Sequence, residues 1–227
     1  MKTIHKITIA LMLTIGFSAS LSAQEDKEME VLIDKINLDN ISISGFGDYN
    51  LEFSSLNGDF CLSTGGSGAI LFNQKFYFGA YGIGLATSHY RYDLTTDYYG
   101  FYNPRIQFSH GGFMVGYIIK PYNAIHFTTS LKAGWGRIAI SNGDMLSSQD
   151  YYGSRGIDKV FVLTPHIGAE MNVTHWFRVN AGAGYRLVTG VSNTHYESKD
   201  FSSPEFTLSF IFGSFKHSLK LNKLKNI

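Results

Sequence analysis

FRVNAGAGYRL, residues 177–187, reads with a period of two. Phe177, Val179, Ala181, Ala183, Tyr185 and Leu187 share one face; Arg178, Asn180, Gly182, Gly184 and Arg186 share the other. Strict alternation marks a strand with two unlike faces, one apolar and one polar or glycine. Ordinary globular strands run about 5–6 residues, whereas a tilted strand crossing a bilayer needs about 9–11. This stretch has the longer measure.

The same period recurs through the chain. Phe161, Leu163, Pro165, Ile167, Ala169 and Met171 alternate with Val162, Thr164, His166, Gly168 and Glu170. Phe127, Thr129, Leu131, Ala133 and Trp135 alternate with His126, Thr128, Ser130, Lys132 and Gly134, and Phe206, Leu208, Phe210 and Phe212 alternate with Glu205, Thr207, Ser209 and Ile211. Looser alternation covers 41–53, 59–72, 75–89 and 105–119. Eight strands are expected. In 75–89 the ring-bearing positions Tyr77 and Tyr81, with Ile83 and Leu85, are assigned to lipid, and Phe76, Ala80, Gly82, Gly84 and Ala86 to the interior.

The connections sort by parity. Links after the second, fourth and sixth strands are short: Asn73-Gln74, Lys120 to Asn123, and Asn172 to His175. Links after the third, fifth and seventh are long, at about 90–104, 141–157 and 189–203; the first, Ser55 to Gly58, is a tight Asn-Gly turn. Short turns at one end and long loops at the other are the build of a transmembrane barrel, and an even strand number returns the chain to its starting side. Gly82-Ile83-Gly84, Gly134-Trp135-Gly136 and Gly182-Ala183-Gly184 echo one another mid-strand on the odd-numbered strands. Tyr49, Tyr90, Tyr117, Tyr122, Trp176 and Phe177 suit the interfacial aromatic girdles.

The ends and the composition agree with export. Residues 1–23 read as a signal peptide: Lys2, His5 and Lys6, a short apolar run, then small residues up to Ala23. The remainder has 17 basic and 18 acidic side chains and gives no reason to invoke nucleic acid. A single cysteine, Cys61, excludes a disulfide framework. Residues 24–40 form the one stretch with helical spacing, a periplasmic lead-in or a surface-lying amphipathic helix.

On the signal peptide, strand count, loop parity and alternating aromatic run Phe206 to Phe212, the chain resembles the small eight-stranded outer-membrane β-barrel proteins of Gram-negative bacteria across residues 41–215. The resemblance implies an all-β, antiparallel, up-and-down transmembrane barrel in the outer membrane. It implies contact with outer-membrane lipid and lipopolysaccharide, and with the barrel insertion machinery during assembly, which reads the last strand. In that family such a strand usually ends the chain; here a basic tail, 216–227, follows and is expected in the periplasm.

The interior-facing set carries the candidate chemistry: Asp48, Glu52, His126, Lys132, His166, Glu170, Arg178, Arg186 and Glu205. Opposite charges in a narrow lumen must pair, so the expected arrangement is a polar plug; a gated or proton-linked conduit is the active alternative. Outside, Tyr90, Tyr92, Tyr98, Tyr99, Phe101 and Tyr102 make a ring-rich loop fit for adhesion or recognition of a surface ligand. His89, Ser109, His110 and His195 are rim positions where a lipid-modifying enzyme would hold its base, but no spacing defines a triad, and no cofactor or metal motif is present. The competing fold is a soluble, lipocalin-like barrel with apolar faces turned inward around a small ligand.

Overall fold

The computed structural model describes residues 41–90, 104–142, 155–192, 196–215 and 219–220. Eight long strands form an antiparallel meander: β1 (Ser42–Leu56), β2 (Asp59–Phe72), β3 (Phe76–Leu85), β4 (Pro104–Ile119), β5 (Ile125–Asn142), β6 (Arg155–Asn172), β7 (Phe177–Thr189) and β8 (Ser203–Gly213). Each pairs with the next, and β8 pairs back onto β1 from Phe53↔Phe206 to Phe46↔Gly213, which closes the sheet. Closure leaves the long strands no free edge. Two short pieces extend it: His89–Tyr90 continues along β4, and Leu219–Lys220 pairs with Ser42 and Ile43 at the start of β1.

Register fixes the shape. Followed from partner to partner, Phe53 leads through Phe206, Ala183, Ile167, Thr129, Tyr117, Phe76 and Phe72 to Ile43, ten residues down the starting strand. Eight strands with that stagger tilt about 40° from the axis and enclose a radius of about 8 Å, given the rise and spacing of strands. Such a bore is filled by side chains rather than by a channel.

The short connections Asn73–Lys75, Lys120–Ala124 and Val173–Trp176 lie at one end, called inner here; the remaining connections lie at the outer end. Asn57, Asn73, Gln74 and Lys120 adopt positive φ in these turns, a conformation asparagine accepts more readily than most residues. Inner turns are held by backbone bonds, among them Asn73 N–H to the Ser42 carbonyl at 2.7 Å.

The outer wall is apolar. Phe127, Trp135 and Ile167 are 64%, 66% and 67% exposed, while Glu52 and Arg186 are 1% and 0% exposed inside. That distribution overturns the lipocalin-like alternative, whose apolar faces would point in. One face assignment is corrected. On β3 Tyr81 and Ile83 are buried inside, and Phe76 and Phe78 are exposed on the wall. Both faces of this strand are apolar or glycine, so ring content could not orient it; the partners Ser67↔Tyr81 and Asp48↔Ser67 put Tyr81 on the inward row. Gly82 and Gly84 consequently face out, whereas Gly134, Gly136, Gly182 and Gly184 face in. Tyr49, assigned to a girdle, lies midway along β1, while Tyr117, Tyr122 and Trp176 do sit exposed at the inner end.

Gly112 and Gly134 are direct partners on the inner surface of β4 and β5. A Cβ on Gly112 would meet the Ala133 carbonyl and the Gly134 Cα. One on Gly82 would meet nothing within 4 Å. Gly112→Val is therefore expected to prevent formation of the compact barrel and Gly82→Ala to leave it intact. The measurement is the fraction of detergent-folded protein that migrates differently before and after boiling on a denaturing gel.

Candidate functional site

Inward alternation brings polar side chains from all eight strands into the lumen, β4 contributing His110. Lys132 on β5 reaches across to β1, where its Nζ donates to Glu52 Oε1, and its ammonium lies 5.8 Å from the Tyr81 ring centre. Nearer the inner end Glu170 on β6 takes two donors on one oxygen: Arg178 Nη1 at 2.9 Å and His126 Nε2 at 3.0 Å. The Arg178 guanidinium also stacks 3.6 Å over the Phe215 ring, a cation–π contact. Asp48 is held by the Ser67 amide at 2.7 Å, the Ser67 hydroxyl at 2.5 Å and Asn50 at 2.6 Å. Asn180 donates to Thr128 at 2.9 Å, and the Ser209 hydroxyl to Asn50 at 2.5 Å.

Arg186 on β7 is the uppermost charge of this set. It donates to the Phe201 carbonyl (3.0 Å), the Ser54 hydroxyl (3.1 Å), the Ser55 carbonyl (3.1 Å) and the Ser203 hydroxyl (3.2 Å). A fully buried guanidinium is tolerable when its donors are used in this way. Arg186 thereby ties the helical turn Ser198–Phe201 to β1 and to the start of β8.

Two members of the expected network are left with buried atoms that make no hydrogen bond. Neither carboxylate oxygen of Glu205 has a hydrogen-bond partner among the described residues, and His166 Nε2 has none either. The space between the groups is small: a cavity of about 60 Å³ lined by Asp48, Lys132, His166, Glu170 and Arg178 among others, room for about two waters.

Above Arg186 the interior is mostly apolar, although the buried Asp158 lies there and accepts from the Ser192 hydroxyl at 2.5 Å. Leu56, Cys61, Ile106, Phe108, Ile138, Ile140, Val160, Val162, Val188, Tyr196 and Phe201 form one buried apolar cluster. A wholly polar plug was expected; the outer half is instead filled like the core of a soluble barrel. Phe201 and Tyr196 come from the last outer connection, packed ring to ring at 5.6 Å. The polar set expected inside holds none of these cluster residues: on β4 the contrast is reversed, with Ile106 and Phe108 turned in and Arg105, Gln107 and Ser109 turned out.

The rim residues do not assemble. Ser109 and His110 alternate on β4, so the hydroxyl faces out and the imidazole in, where His110 Nδ1 lies 3.3 Å from the Tyr81 hydroxyl. His89 pairs with Thr87 Oγ1 at 2.9 Å, and burial, the largest influence, holds its imidazole pKa below the ordinary value. His195, and the loop residues Tyr92, Tyr98, Tyr99, Phe101 and Tyr102, lie outside the described residues. Tyr90 is exposed and pairs through its backbone with Arg105.

Fold and wall together define a closed eight-stranded barrel of the outer-membrane type, apolar outside and filled within. No family model and no curated protein matches the chain. Among solved structures it is similar to Neisserial surface protein A, with 13% identity and a TM-score of 0.51, over 76% of this chain and 97% of that one. It also matches Ail, the attachment invasion locus protein of Yersinia pestis in complex with the heparin analogue sucrose octasulfate, at 12% identity and TM-score 0.47 over 76% and 98%. A third match is the outer membrane protein OprG of Pseudomonas aeruginosa, at 13% and 0.38 over 76% and 93%. The first likeness is one of fold.

Buried pairs make signed predictions. Lys132→Met strands Glu52 in the lumen and is expected to lower stability by about 3–5 kcal/mol. Glu205→Met replaces a buried carboxylate that makes no hydrogen bond among the described residues by an apolar side chain of similar length and is expected to raise stability, by about 1–3 kcal/mol. Urea titration of the folded barrel in detergent, followed by the gel shift, gives both signs.

Proposed function

We propose that the chain is an integral outer-membrane protein whose barrel is a sealed scaffold, presenting its outer connections at the cell surface for a structural or adhesive role. The supporting observation is obstruction of the bore at successive levels. Arg178 and Phe215 narrow the inner mouth, Lys132 and Glu52 span the middle, and the cluster around Phe108 and Phe201 fills the top. A barrel of this size passes solute only if those groups move together. The wall supports the membrane location: exposed aromatic and aliphatic side chains surround the strands, in the manner of an apolar band bounded by rings. A surface role is in keeping with the name of the Neisserial protein. The tyrosines of the 90–102 loop fit that role, because amphipathic rings make contact area at small entropic cost.

Two measurements test this reading. In planar bilayers the purified barrel is expected to give no conductance steps; stable steps would overturn the sealed scaffold. Replacing residues 92–102 by a short glycine-serine turn is expected to keep the heat-dependent gel shift. The same change should abolish adhesion of expressing cells to one another or to a solid surface. Undiminished adhesion would remove the loop from the proposal.

A further inference from the structure

Towards the outer end the wall changes character on three adjacent strands. Among the described side chains, the outward positions of the eight strands hold three charges: Arg105 on β4, Arg137 on β5 and Lys159 on β6. All three are basic. Arg137 and Lys159 are direct cross-strand partners, both exposed, and neither has an acidic partner among the described residues. Like charges set opposite each other on a sheet repel, and an anion placed between them relieves the repulsion.

The surroundings form two rows in register. The upper row runs Gly84, Ser109, Arg137, Lys159, and the lower row, two residues towards the membrane, runs Gly82, Gly111, Trp135, Phe161. Trp135 and Phe161 meet edge to face at 6.1 Å. Gly82 and Gly111 contribute no side chain, so the wall is hollowed beside Trp135. The two rows border an open groove of about 750 Å³, with Thr189 and Gly190 on the far side. One groove therefore joins an apolar, ring-walled floor to a hydroxyl, a guanidinium and an ammonium.

We infer that this groove binds the phosphorylated headgroup of an outer-leaflet glycolipid. The phosphate sits on Arg137 and Lys159, with the Ser109 hydroxyl as a further donor, and the apolar part lies against Trp135 and Phe161 over the glycine floor. The occupant follows from level and charge. The cations stand immediately above the apolar wall, where a headgroup layer lies, and a planar guanidinium matches phosphate oxygens two at a time. This inference rests on the outer-membrane reading and names a partner for that surface.

The test uses the protein isolated from outer membranes in detergent, carrying Trp176→Phe so that Trp135 is the sole indole. It is titrated with phosphorylated lipid A and with the dephosphorylated form, and Trp135 emission is followed. The phosphorylated lipid is expected to bind about 30-fold more tightly, the contribution of two cations near an anionic surface. Arg137→Gln with Lys159→Gln is expected to abolish that preference while keeping the gel shift. Equal affinity for the two lipids would overturn the site, as would a preference that survives the double substitution. Displacement of the lipid by inorganic phosphate at equal concentration would show a free-phosphate site instead and overturn the lipid assignment. A protein that stays monodisperse without detergent, before any lipid is added, would overturn the outer-membrane reading itself.

Discussion

Closure of the sheet is the constraint on which the rest depends. In a hydrocarbon layer each unpaired backbone group costs several kcal/mol, so a strand can cross only if both its neighbours are strands and the last meets the first. The pairing of β8 with β1 meets that requirement. Eight strands with a ten-residue stagger then set a radius of about 8 Å, too narrow for an aqueous pore and too wide to leave empty. Filling follows from closure, and the choice of filling residues is where this chain becomes particular.

The interior is filled in two ways. Below, each polar group leans on another from a distant strand: Lys132 on Glu52, Arg178 and His126 on Glu170. Above, aliphatic and aromatic side chains pack as in any core, with Phe201 fully buried. Arg186 stands at the boundary and faces both ways, with polar partners on β1 and β8 and its guanidinium 5.3 Å from the Phe108 ring centre. The polar half crosses between distant strands and so ties the barrel's opposite walls. The apolar half anchors the last outer connection, which gives one loop on the outer face a fixed base.

Much of this was legible from alternation alone. Strands β5 to β8 each set apolar residues against polar ones, so their inward members, from His126 to Glu205, could be named from parity. β3 resisted for a physical reason. Its two faces are Phe76, Phe78, Ala80 and Gly82 against Tyr77, Gly79, Tyr81 and Ile83, and neither is polar; only the register with Ser67 decides. The apolar upper core was missed for the opposite reason: there Ile106, Phe108, Ile138 and Val160 face in while Arg105, Ser109, Arg137 and Lys159 face out, so a reading that turns the polar face inward along the whole barrel misplaces it. Pairings such as Lys132 with Glu52 join residues 80 apart in sequence, and no local pattern specifies them. The groove at Arg137 and Lys159 needs the register of four strands at once.

The unbroken register also governs how such a chain can vary over time. Because side chains alternate, one residue gained or lost within a strand turns every residue beyond it to the opposite surface, placing a lysine in lipid or a phenylalanine among the charges. Two residues gained together preserve the faces and merely move one strand against its neighbours. Length change within strands is thus confined to even steps, and each step strains the ten-residue stagger. The outer connections have no such arithmetic. Descendants of this sequence should keep strand lengths nearly constant while their outer loops grow, shrink and diverge, so that a family drawn from it would look conserved in the wall and unrelated at the rim.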